Sequence, residues 1–207
     1  MPPESAATSG MKTSAGNGFP SEVPSLRIRK ANTAGIHPNG RYVLYWMIAT
    51  RRTEYNYSLQ RAAEWCRELN RPLLILEALR VGYPWASLRL HRFIIQGMVD
   101  NAADLEGKSA LYYPYLEPEK GRGKGLLNAL SQKACIVVTD DFPCFFIPGM
   151  IRAAAEKVPV SLEVIDSNGI LPLRAGEQEY KTAYSFRRFL QKVLPVHVDK
   201  RPLKDAL

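Results

Sequence analysis

Cysteine is too scarce here to build a scaffold on. The three residues Cys66, Cys135 and Cys144 form an odd set at irregular spacing, which argues against a disulfide framework and against a zinc site. Cys66 falls on the apolar face of a helical pattern and Cys135 opens an apolar run, so both read as small buried hydrophobes. Cys144, beside Asp140 and Asp141, is the one to test for exposure, with packing the simpler reading. Histidine is equally sparse: His37, His91 and His197 share no metal-ligand spacing. There is no Gly-x-Ser-x-Gly elbow and no cysteine close to a histidine in sequence, so a hydrolase reading has no residues to name. No apolar run approaches the roughly 18 residues that span a bilayer. The opening Met1-Pro-Pro-Glu-Ser5 lacks a basic segment followed by an apolar one. The expectation is a cytoplasmic protein with no membrane contact and an oligomeric state left open.

What is present describes a globular chain: 207 residues, 46% hydrophobic and 23% charged, enough to bury a sizeable core. A net charge of +8 favours polyanions only where it is clustered. Arg187, Arg188, Lys192, Lys200, Arg201 and Lys204 do cluster, although a solvated helix face and a basic tail account for them equally simply. The loop Gly121-Arg-Gly-Lys-Gly125 fails as a phosphate cradle. No Ser or Thr follows Lys124 and the glycines miss both the P-loop and dinucleotide spacings, so it reads as a mobile basic loop.

Along the chain, residues 1–25 are rich in Ser, Pro, Gly, Ala and Thr without periodicity and read as a disordered leader. Residues 26–40 form an extended approach ending in the turn Pro38-Asn-Gly40. The organising stretch is Arg41 to Leu59, in which Val43 to Ile48 make an almost unbroken apolar run. That suits a central parallel strand buried on both faces. Strands then recur at Leu73–Leu76, Ala110–Tyr115, Cys135–Thr139 and Val160–Ile165, separated by helical patterns, with Met150 to Val158 the alanine-rich one. Pro114 marks the third strand as an edge. This alternation predicts an α/β fold with a five-stranded parallel sheet flanked by helices. A C-terminal exit helix follows over Glu177 to Val193, and residues 196–207 form a tail.

The first strand ends in Thr50-Arg-Arg-Thr53, and such a strand end is where open α/β folds place ligands. Asp140 and Asp141 follow the fourth strand at that same end. They can bond to a chromophore or nucleotide edge, pair with Arg51 or Arg52, or cap the next loop. Arg51 and Arg52 can grip a phosphate or carboxylate. Trp46 and Met47 read as core with at most a side contact to a ligand, and Asn56 as a helix N-cap.

Several separated stretches carry a resemblance: Trp46-Met47 with Arg52, Asn56 and Leu59; Leu90-His-Arg-Phe93; Val137-Val-Thr-Asp140 with Phe142-Pro143 and Pro148; Glu163-Val-Ile-Asp166 with Asn168 and Pro172; and Gln178-Glu-Tyr-Lys-Thr182 running to Arg187. In order and spacing, residues 26–195 resemble the amino-terminal domain of class II DNA photolyases, the light-driven enzymes that repair cyclobutane pyrimidine dimers. The resemblance implies a Rossmann-like antenna domain that holds a pigment such as a deazaflavin, folate or FMN. It also implies docking to a helical domain that carries FAD and accepts damaged DNA. Only the antenna side has positions here, at Met47, Arg52, Asp140, Asp141, Phe142 and Asn168, and no catalytic residue is carried over. Since the chain ends where the helical domain should begin, the resemblance implies no repair by this chain alone, and photo-lyase activity only with the FAD domain. Two competing expectations are a stand-alone nucleotide- or flavin-binding module and an interaction subunit for a separately encoded FAD domain. Tyr57 stands where many relatives have Trp, and Tyr184-Ser-Phe-Arg-Arg188 departs from the family's exit segment.

Overall fold

The computed structural model describes residues 21–176 and 178–207. The apolar run after Arg41 is strand β2 (Tyr42–Met47), and a short strand β1 (Ile28–Lys30) precedes it. From Val43 onward β2 is buried, because helices cover both of its faces. It feeds helix α1 (Tyr57–Leu69), which Asn56 caps: the side-chain oxygen accepts the N–H groups of Ser58 and Leu59 at 2.9 and 3.1 Å. At the other end Asn70 turns left-handed with φ 50°, a conformation asparagine tolerates, and Pro72 prevents the helix from continuing.

The alternation continues through β3 (Leu73–Leu79), α2 (Leu88–Asp104), β4 (Ala110–Leu116), α3 (Leu126–Ser131), β5 (Ala134–Asp141), α4 (Ile147–Ala155), β6 (Leu162–Asp166) and α5 (Ala183–Val193). Helix α4 starts three residues earlier than its alanine-rich stretch indicates. Pro148 lies in its first turn, where a missing N–H breaks no helical bond.

The expected α/β architecture is present, with one strand more than expected. Six strands run in the order β1-β6-β5-β2-β3-β4, and all pairs are parallel except β1 with β6. The extra strand pairs Ile28 with Ile165 and Lys30 with Glu163. Three residues are too few to show the alternation that reveals a strand in sequence. Successive residues of β2 point to opposite faces. Val43, Tyr45 and Met47 pack with Leu59, Ala62 and Trp65 of α1, while Leu44 and Trp46 pack with Ile147, Ile151 and Ala154 of α4.

Residues 21–25 and the tail pack against the core, which their composition does not indicate. Residues 1–20 of the expected leader lie outside the described residues, but Val23 is buried in the core and Ser21 Oγ donates to Glu64 Oε2 at 2.5 Å. The tail returns to α1: Tyr57 Oη donates to the Lys200 carbonyl at 2.8 Å, Leu203 N–H donates to Gln60 Oε1 at 3.0 Å, and Ala206 is buried. Single apolar anchors in polar stretches leave no periodic trace. No helix among the described residues is long and apolar enough to cross a membrane.

Candidate functional site

Strand order reverses direction between β2 and β5, so the crevice of this fold opens where their carboxyl ends meet. Asp140 closes the bottom of it. Its Oδ2 accepts three consecutive N–H groups, from Ile48, Ala49 and Thr50 at 2.9, 2.8 and 3.0 Å, and its Oδ1 accepts Tyr45 Oη at 2.8 Å. Asn56 Nδ2 donates to that same Tyr45 oxygen at 3.0 Å, to the Thr50 carbonyl at 3.2 Å and to the Arg52 carbonyl at 2.9 Å. Burial, reinforced by the Asp140 charge, pushes the Tyr45 phenol well above its ordinary value. One aspartate and one asparagine therefore tie the β2–α1 loop into a closed polar knot.

Beside it, Asp141 Oδ2 accepts Arg174 Nη1 at 3.0 Å and its Oδ1 lies 3.7 Å from Arg29. Its carbonyl accepts Asn168 Nδ2 at 2.6 Å. Asp166 accepts the Asn168 and Leu173 N–H groups at 2.9 and 2.6 Å and faces Arg27 at 3.7 Å. Arg27 itself is buried, donating to the carbonyls of Asp166, Asn168, Gly169 and Ile170, with its guanidinium over the Tyr57 ring.

Of the six positions named from sequence, Met47 and Asp140 are wholly buried and Arg52 is exposed, while Asp141, Phe142 and Asn168 lie half-buried between them. The fold brings Asp141 and Asn168 into contact and keeps Arg52 apart from both aspartates. Neither expected arginine pairing with these aspartates forms. Arg51 binds Glu77 at 2.9 Å, and Arg52 donates to the carbonyls of Glu54 and Tyr55. The reason is local: the loop amides reach Asp140 first, and Glu77, joined by Asn101 at 2.9 Å and Tyr112 at 2.6 Å, waits at the end of β3. Among the described residues no group of three His, Cys, Asp or Glu side chains could hold a metal ion.

Two features escaped sequence reading. The loops after β3 and β5 touch across the front of β2 through aromatic rings, Trp85 with Phe145 at 6.3 Å and Tyr83 with Phe146 at 6.4 Å. Trp85 and Phe145 both take left-handed backbone, with φ 66° and 58°, which no sequence pattern reveals for such residues. The basic glycine loop has an anchor that its spacing does not reveal: Glu117 accepts the N–H groups of Val81, Gly121 and Gly123 at 3.0, 2.9 and 3.2 Å. Apart from the crevice, α5 buries none of its residues, and Leu190, Leu194, Pro195 and Val198 line an open groove of ≈ 480 Å³ beside it.

No family model matches the chain. A deoxyribodipyrimidine photo-lyase from Methanothermobacter thermautotrophicus is 28% identical to it over 173 residues, 83% of this chain and 38% of that protein. The chain resembles a photolyase. It spans well under half the length of that photolyase relative, so the similarity concerns one part of a larger protein. Among solved structures, two of universal stress protein from Archaeoglobus fulgidus align over 60% of this chain and 97% and 98% of theirs. Their identities are 14% and 13% and their TM-scores 0.39 and 0.41, and the first is in complex with dAMP.

Proposed function

We propose that this chain is the amino-terminal, antenna-type domain of a class II-like photolyase, contributing to light-dependent repair of cyclobutane pyrimidine dimers together with a helical FAD-binding region. The observation that carries the reading is the similarity to a photolyase over 83% of the chain. The geometry supports a supporting part over a catalytic one. Asp140, Asp166 and Glu77, the acids at the strand ends, are held by the protein's own donors. In this reading FAD is held by the helical region, as the photolyase resemblance implies, and the groove beside α5 is open and mainly apolar. A deazaflavin, folate or FMN pigment would meet Arg52 and Phe142 at the crevice mouth, with Met47, Asp140, Asp141 and Asn168 framing the strand ends behind them.

Docking falls to α5. Tyr184 and Phe186 are exposed and Phe189 stacks on Tyr180 at 4.7 Å, leaving an apolar stripe that a helix of the FAD-binding region would cover. The test is photorepair of an oligonucleotide carrying a thymine dimer by a photolyase FAD-binding region, with and without this chain. Repair raised by the chain, and lost with Phe186→Asp, is the expected result. Repair indifferent to the chain would overturn the reading.

A further inference from the structure

The aromatic rim at the crevice mouth has a chemistry that the antenna reading does not use. Trp85 and Phe145 are 72% and 76% exposed, and they meet edge to face with an interplanar angle of 73°. Both hold φ > 0, at 66° and 58°, a conformation that is a strained outlier for bulky side chains. The two rings therefore form an exposed aromatic surface at the crevice mouth.

The loops beside the rim carry cations together with the acids Glu117 and Glu119. The glycine loop is anchored beside it through Glu117, and Lys120 lies against Gly82, where an added Cβ would come within 2.9 Å of the lysine Cγ. That loop presents Lys120, Arg122 and Lys124, and Arg80 stands at the end of β3. Arg122 lies 3.8 Å from Glu119 and Arg80 acts on the Glu117 carboxylate, while Lys120 and Lys124 form no ion pair among the described residues. The first turns of α2 add Arg89 and Arg92.

We propose that this rim is a stacking platform for single-stranded nucleic acid, with bases on Trp85 and Phe145 and phosphates on the glycine loop. Exposed rings with solvent-facing cations on the neighbouring loops suit a polymer of flat bases and regular negative charge. A compact pigment is instead held in a pocket that encloses most of its surface, and rings three-quarters in water do not form one. Duplex DNA keeps its bases stacked on each other and offers these rings no face. The inference stands apart from the antenna reading, since it needs neither light, flavin nor damage.

Trp46 and Trp65 are 7% and 3% exposed, so quenching of the chain's intrinsic fluorescence by a ligand reports on Trp85. The experiment titrates the chain in the dark with undamaged oligothymidylate, oligouridylate and a duplex of equal length, following that quenching and the anisotropy of a labelled strand. Trp85→Gly and Phe145→Gly are the variants of choice because glycine accepts φ > 0 without strain, which keeps the fold intact. Each should weaken single-strand binding about 5- to 150-fold. Replacing Lys120, Arg122 and Lys124 together by Ala should lower the salt slope by about 2. The tighter of the deoxy and ribo strands names the natural source, and either supports the platform. Duplex bound as tightly as single strand, no binding, or affinity unchanged in both glycine variants would overturn it.

Discussion

Asp140 shows how one carboxylate can look like a ligand-binding group and act as a clamp. Its position after a buried strand, next to a second acid, is legible in sequence. That its four donors come from a different strand and the loop after it is not, because β2 and β5 become neighbours only through the strand order. A clamp and a ligand-binding acid respond differently to substitution. Asp140→Ala leaves Tyr45 and three amides short of an acceptor and should cost about 3 kcal/mol or more of unfolding free energy. Asp140→Asn keeps an oxygen for the amides, lets Tyr45 reorient, and should cost only about 1 kcal/mol. Urea unfolding of the two variants checks this, and equal losses would count against the clamp. Asn56 was easier to read, since an N-cap acts within its own turn.

At the scale of the element, helices and buried strands were visible and loop geometry was not. The glycine run after β4 looked free because its spacing matched no cradle; Glu117 anchors it through amides, which any sequence possesses. Those amides, Val81 foremost, with help from Arg80, hold the Glu117 carboxyl below its ordinary value of 4.5. A depressed carboxyl contributes stability that is complete above the ordinary value and is lost as pH falls through the folded one. The amide resonances of Gly121 and Gly123 should therefore titrate together with a midpoint under 4.5, and Glu117→Gln should abolish that titration. A midpoint at or above the ordinary value would contradict the anchoring.

For the whole molecule, the notable feature is that both ends of the described chain fold back on α1. His197 lies buried within the returning tail, and burial, then the charges of Lys200 and Arg27, lower its imidazole from the ordinary 6.5. The folded state thus resists protonation more than the unfolded one. Stability from this site is complete above 6.5 and declines as pH falls from there toward the depressed value. The urea midpoint should drop over that interval, and His197→Asn should flatten the drop. Hydrogen exchange at Lys200 to Ala206 should quicken over the same range if the tail is the part released. An unchanged midpoint would mean that His197 is solvated.

What the sequence determined by itself was the α/β class, the central position of the strand after Arg41, the edge position of the strand with Pro114 and the cap at Asn56. All of these follow from periodicity, apolar runs or contacts within a turn. Tertiary structure decided the rest: the antiparallel sixth strand, the saturation of Asp140, the partner of Arg51, the anchoring of the glycine loop and the meeting of Trp85 with Phe145. Each depends on which strand ends become neighbours and on which backbone groups reach a side chain first. Those distances in space are set by the strand order, β1-β6-β5-β2-β3-β4, and have no counterpart in spacing along the chain.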